Sequence, residues 1–122
     1  SVTQSRPLAA KAEGEAVTLE CTYRTPGAYR IYWYRQMPGA EPEYTLRKDS
    51  NGNEWKAQFA KSRFSVDLRT RSKLISLTIS DLELSDSAVY YCTLSRDWGT
   101  GRTYMGHRAP MTFGGGTKLT VL

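Results

Sequence analysis

Apolar residues recur at every second position in six separate stretches of the chain, and nowhere at helical spacing over a useful length. In AVTLECTY the residues Val17, Leu19, Cys21 and Tyr23 share one face. RIYWYRQ sets Ile31 and Trp33 against Tyr32, Tyr34 and Gln36. RFSVDL aligns Phe64, Val66 and Leu68, and LISLTI aligns Ile75, Leu77 and Ile79. SAVYYC aligns Ala88, Tyr90 and Cys92, and the closing TKLTVL aligns Thr117, Leu119 and Val121. Successive side chains leave opposite faces of a pleated strand, so each stretch is expected to be a strand with one buried face. Turn signals separate them: PGA at 26 and again at 38, SNGN at 50, and SDLELSDS at 80. One-sided strands in this number predict an all-β fold, two antiparallel sheets packed face to face in a single domain spanning 1–122.

Composition adds limits to that picture. A chain of 122 residues with 39% apolar content can bury one core. It contains no run of about 18 apolar residues that would span a membrane. It opens SVTQSRPL, with neither a Met nor an apolar leader segment, so a secretion signal is expected to have been removed. Cys21 and Cys92 lack the CxxC spacing of redox and zinc sites, and His107 is the single histidine. No metal or cofactor is expected. Both cysteines fall on inward positions of different strands, so a disulfide across the core is expected, with Trp33 facing the same core. Such a bond implies an oxidising, extracellular or cell-surface setting. Closing a loop of that length stabilises a fold by roughly 4 kcal/mol in the chain-entropy treatment.

The net charge of +5 raises polyanion binding, but the cations lie scattered, from Arg24 and Arg30 through Arg69, Arg71 and Lys73 to Arg108. With no block of five or more, a soluble basic surface is expected rather than a nucleic-acid or heparin function. Catalysis lacks candidates: no nucleophile sits in a recognisable setting, and Glu41 and Glu43 read as solvated turn residues. The glycines at 114–116 are not followed by the Lys-Ser or Lys-Thr of a phosphate loop. GTGRTY at 99 fails as a dinucleotide fingerprint, because Tyr104 stands where a third glycine belongs.

Cys21, Trp33 in WYRQMPG, DSAVYYC ending at Cys92, and FGGGT from Phe113 follow in an order and spacing that resemble the immunoglobulin variable-type domain over the whole chain. SVTQ, WYRQMPG, KSRFSVDL and SLTISDLELSDSAVYYC are similar to T-cell receptor alpha or delta variable segments. FGGGTKLTVL is instead similar to the joining segment of an antibody lambda light chain. The resemblance implies a Greek-key sandwich whose sheets are joined by Cys21–Cys92, with Tyr90 as its tyrosine corner. It implies a salt bridge between Arg63 and Asp86 at the lower end. Gly114 and Gly116 match its F-G-x-G bulge, where positive φ and close backbone approach suit glycine. It also implies that Tyr34, Gln36, Pro42, Tyr44, Tyr91 and Phe113 face a second variable domain, in a heterodimer or, alternatively, a homodimer. Aromatic rings bury large areas there, and Gln36 can form a two-point amide pair.

In this topology the connections 24–30, 47–56 and 93–112 gather at one end. The third, TLSRDWGTGRTYMGHRAPMT, is far longer than the two to five residues a hairpin needs. Ordering it has an entropic cost that no core offsets, so a use in binding is expected. Trp98 and Tyr104 are rigid anchors, and Arg96, Arg102 and Arg108 against Asp97 leave the stretch at +2. His107 reads as an exposed loop residue, and Tyr29, Arg30 and Lys48 are expected contacts from the neighbouring loops. DLRTRSK at 67–73 reads as a solvated turn rather than a fourth loop. The implied function is antigen recognition, without chemistry, by one domain of a membrane-anchored, T-cell-receptor-like chain whose ligand is a protein or presented antigen. The alternatives are an autonomous single-domain binder and a germline-encoded innate receptor domain.

Overall fold

The computed structural model describes residues 1–96 and 111–122. Eleven strands form among them, in chain order: β1 (Val2–Thr3), β2 (Leu8–Lys11), β3 (Val17–Tyr23), β4 (Tyr29–Gln36), β5 (Glu43–Asp49), β6 (Glu54–Lys56), β7 (Phe64–Arg69), β8 (Leu74–Ile79), β9 (Ala88–Arg96), β10 (Met111–Phe113) and β11 (Thr117–Val121). They make a four-stranded sheet, β1-β3-β8-β7, and a seven-stranded sheet, β2-β11-β9-β4-β5-β6, with β10 also paired to β9. All pairings are antiparallel except β2 with β11.

Burial follows the period of the sequence. Along β3 the residues Val17, Leu19, Cys21 and Tyr23 are buried and those between them exposed. In β7, at the edge of its sheet, only Phe64 is fully buried, while Val66 and Leu68 are covered from fewer sides. The inward residues of both sheets meet in one core around Trp33, Tyr90, Phe64, Leu77 and Leu119. Cys21 and Cys92 are bonded through that core across 71 residues of chain. Trp33 stands beside Cys92 in the β4–β9 register. Alternation gives way in β9, where Cys92 to Ser95 are buried in succession, and in β5, where Thr45 and Leu46 are both buried. A register shift after Trp33 causes the break in β5: Leu46 pairs with Trp33, and Tyr44 then pairs with Tyr34. The bulge turns Tyr44 onto the outer face beside Tyr34.

The end opposite the expected ligand loops is closed by a network of charges. Arg63 donates from Nη1 to Asp86 Oδ2 at 2.7 Å and from Nη2 to Oδ1 at 2.9 Å, a bidentate pair. Asp86 is 1% exposed, so this is no surface pair. Its Oδ2 also accepts the Glu83 amide at 2.8 Å, and its carbonyl accepts the Tyr90 hydroxyl at 2.7 Å. Burial pushes the Asp86 carboxyl up, but the bonds from Arg63 and Glu83 together outweigh it and hold the group below its ordinary value. Burial, aided by the Asp86 charge, holds the Tyr90 phenol well above its own.

Candidate functional site

The outer face of the larger sheet carries the residues expected to meet a partner domain. Period two along β4 and β9 sends Tyr32, Tyr34 and Tyr91 outward, and β10 brings Phe113 beside them. The rings form a chain: Tyr91 to Phe113 at 6.3 Å, Phe113 to Tyr34 at 5.8 Å, Tyr34 to Tyr32 at 6.2 Å, and Tyr32 to Tyr44 at 6.4 Å. Phe113 remains 52% exposed at its centre. Tyr44 donates its hydroxyl to the Trp55 carbonyl at 2.9 Å. Its phenol is held above the ordinary value, by burial first, with Arg47 pulling the other way. Gln36 lies on the same face, and its Nε2 donates to the Ala40 carbonyl at 2.9 Å. Pro42 is exposed in the turn before β5.

The same sheet ends, toward the expected ligand, in a polar cluster. Cross-strand register sets Arg30 opposite Asp49 and Arg47 opposite Trp55. Arg47 stacks its guanidinium on the Trp55 ring, 3.7 Å from the centroid. Asp49, only 7% exposed, lies between two guanidiniums. Arg30 Nε is 3.7 Å from its Oδ1, beyond hydrogen-bond reach, and Arg47 Nε is 3.2 Å away but misaligned. One carboxylate therefore serves two arginines, and the cluster keeps a net charge of +1. Thr93 Oγ1 is likewise buried without a partner on this face.

Several expectations for the ligand end are corrected by the strand pairing. Tyr29, expected in the first loop, instead begins β4 as a buried residue, its hydroxyl bonded to Tyr23 and its ring 4.8 Å from that of Tyr23. Burial, first, and that hydrogen bond raise the Tyr23 phenol well above its usual value. The first connection is thus 24–28. The second narrows to 50–53, because 47–49 and 54–56 pair as β5 and β6. Lys48, within that hairpin, is ion-paired with Glu54 at 3.2 Å. The expected loop at 93–112 is shorter than its bounds, since Thr93, Leu94 and Ser95 pair with Phe113, Thr112 and Met111. Arg96 closes β9, exposed. Asp97, Trp98, Arg102, Tyr104, His107 and Arg108 lie outside the described residues. Glu43 is a β5 residue rather than a turn residue and pairs with Arg35 at 2.6 Å.

The glycine pair splits into two cases. Gly116 has φ +89, and a Cβ there would meet Tyr91 at 2.8 Å and Val89 at 2.9 Å. Gly114 has no positive φ, but a Cβ would run into Gln4. That Gln4 is a residue the pattern reading passed over. Its Nε2 donates to the Tyr90 carbonyl at 2.9 Å, and its Oε1 accepts the Cys92 and Gly116 amides at 3.1 and 2.9 Å. No local signal marks it, since its partners are distant in sequence. Arg47 and Trp55 are a further pair that the sequence does not give, since a hairpin centred on SNGN would set Arg47 opposite Lys56, one residue off the observed register.

Among the described residues no group of His, Cys, Asp or Glu is placed to hold a metal, and no helix is long and apolar enough to cross a membrane. Residues 3–122 match the immunoglobulin V-set domain. The chain is 37% identical over 123 residues to the human T cell receptor alpha chain MC.7.G5, across 99% of this chain and 40% of that one. It is 39% identical over 98 residues to human T cell receptor alpha variable 38-1, across 79% of this chain and 81% of the segment. The mouse immunoglobulin iota chain is 34% identical over 111 residues, across 80% and 78%. The present chain thus spans less than half of the full receptor chain it matches. A structure from work on T cell specificity and activation by the bacterial superantigen toxic shock syndrome toxin-1 superposes with TM-score 0.84 at 25% identity, over 100% of this chain and 98% of that one. The chain belongs to the immunoglobulin V-set family, as an antigen-receptor variable domain similar to those of T-cell receptor alpha and delta chains.

Proposed function

We propose that the chain is one half of a paired, T-cell-receptor-like antigen-binding unit at the cell surface. It reads its ligand without chemistry, through the end of the sandwich that carries turns 24–28 and 50–53 and, in sequence, the stretch 93–112. The observation that carries this reading is the continuous row of Tyr91, Phe113, Tyr34, Tyr32 and Tyr44 on an outer sheet face. A solvated sheet face carries Lys, Glu or Thr, whereas aromatic rings in a row are the stuff of interface cores. At the ligand end of the same sheet, Arg30, Arg47 and Trp55 add guanidinium donors and an indole that is 46% exposed, both enriched in binding hot spots. A second reading, an autonomous binder, draws support from Gln36, whose amide nitrogen is already used within the chain.

Sedimentation velocity separates the two. The domain alone should be monomeric at low concentration and form a one-to-one complex with a co-expressed second variable domain. A Tyr91→Ser, Phe113→Ser variant should abolish that complex with little change in thermal stability. A domain that stays monomeric with every such partner, and still captures ligand, overturns the paired reading. Recognition by segment joining is tested by sequencing transcripts: 93–112 should vary while 1–92 recurs, and an invariant stretch there favours a germline-encoded receptor.

A further inference from the structure

Cations scattered along the sequence are gathered by the fold on the other sheet. Arg24 follows β3, and Arg71 and Lys73 sit in the turn between β7 and β8. The Tyr23 amide donates to the Lys73 carbonyl at 3.1 Å, which draws the two segments together. Arg24, Arg71 and Lys73 line a hollow of about 280 Å³ with the hydroxyl residues Thr3, Thr22 and Ser72. A second hollow of about 550 Å³ shares Arg24 and Lys73 and continues past Pro26.

No Asp or Glu lines either hollow. Among the described residues, none of the three cations makes an ion pair. Arg35, Lys48, Lys56, Arg63 and Arg69 each hold a carboxylate, and Lys11, Lys61 and Lys118, which hold none among the described residues, line neither hollow. Three unneutralised charges around one depression repel one another within a Debye length of roughly 8 Å. Lys73 also holds φ +55, a left-handed conformation that costs a non-glycine residue on the order of 1 kcal/mol. Backbone geometry alone asks for Gly or Asn there, and the chain has a cation.

We propose that these two neighbouring hollows bind a sulfated glycan chain. An anion at each cation relieves the repulsion, and the hydroxyls of Thr3, Thr22 and Ser72 donate to the remaining oxygens of a tetrahedral group. Two depressions that share Arg24 and Lys73 suit an elongated ligand carrying several sulfates, which the net charge of +5 steers toward the domain. Nucleic acid fits less well. Tyr23, the aromatic residue of the lining, is buried and its hydroxyl is engaged by Tyr29, so unstacked bases find no platform. The disulfide places the domain where sulfated glycans are found. The site lies at the edge of the sheet opposite the aromatic face, shares Arg24 and Pro26 with the turn 24–28, and stays open when a second domain docks on that face.

The test is calorimetric titration of the intact domain with a size-defined heparin octasaccharide at about 50 and 150 mM salt. An Arg24→Ser, Arg71→Ser, Lys73→Asn variant should bind at least 10-fold more weakly, with a salt dependence shallower by about two to three ions. Asn suits the left-handed backbone at 73, and an unchanged melting temperature confirms that the variant folds; Arg24→Ser alone should give part of the loss. A Lys11→Gln, Lys61→Gln, Lys118→Gln variant, of equal charge, should bind like wild type. An unaffected first variant, or equal losses in both, reduces the effect to net charge and overturns the site. Tighter binding of an equally charged single-stranded oligonucleotide through the same residues overturns the glycan assignment. Since no antigen or partner domain enters the titration, its outcome is independent of the paired-receptor reading.

Discussion

Two arginine–aspartate clusters stand at opposite ends of this sandwich, and their chemistry is opposite. At the lower end one guanidinium meets one buried carboxylate with two aligned bonds, and the Glu83 amide and Tyr90 hydroxyl complete the set. At the upper end two guanidiniums share Asp49, neither Nε makes an aligned bond to it, and the surplus positive charge lies at the proposed ligand end. A satisfied network fixes one geometry and resists change. An unsatisfied one contributes little to the fold and leaves donors free for something else. The difference teaches where this domain is frame and where it is reader.

Breaking the lower cluster should have the largest effect. Arg63→Ala leaves Asp86 buried and unpaired, and should cost about 3 kcal/mol in chemical denaturation. A loss below about 1 kcal/mol would show that water replaces the guanidinium freely. The pH response follows from the same pair. Asp86 titrates lower in the folded state than in the unfolded, so its stabilisation is complete above the unfolded carboxylate value near 3.9 and is lost as pH falls through the folded one. In Arg63→Ala the bonds from the guanidinium are gone while burial and the Glu83 amide remain, so acid unfolding should begin at higher pH than in wild type. Next in size, Tyr90→Phe removes the donor to the Asp86 carbonyl and should cost about 1–2 kcal/mol, with no change in ligand binding.

The upper cluster should respond differently. Arg30→Met leaves Asp49 with Arg47 alone, and stability should change by less than about 0.5 kcal/mol while ligand capture falls. A loss as large as that of Arg63→Ala would erase the distinction between the two ends. Smallest of all in stability, Trp98→Ala and Arg102→Ala should leave the melting temperature nearly unchanged and weaken ligand binding. Equal binding by both removes the 93–112 stretch from the site.

Much of the frame was legible in the chain because its signals are local. Period two marked the inward faces of β3, β8 and β11, and the motif order paired Cys21 with Cys92, Arg63 with Asp86, and Tyr90 with its corner. The loop bounds failed because a strand's end depends on whether a partner lies alongside: Thr93 to Ser95 are strand because Met111 to Phe113 come back to meet them. Tyr29 is strand rather than loop for a related reason, since its place beside Tyr23 follows from the turn between them.

By itself, then, the sequence determined the class of fold, the covalent bond through it and the aromatic outer face, because side-chain alternation dictates which way each residue points in a strand. Apart from Arg63 and Asp86, only the tertiary structure decided which charges meet. Whether an arginine is neutralised, shared or left to an incoming anion depends on distances of a few ångströms between residues tens of positions apart, and no local pattern encodes those.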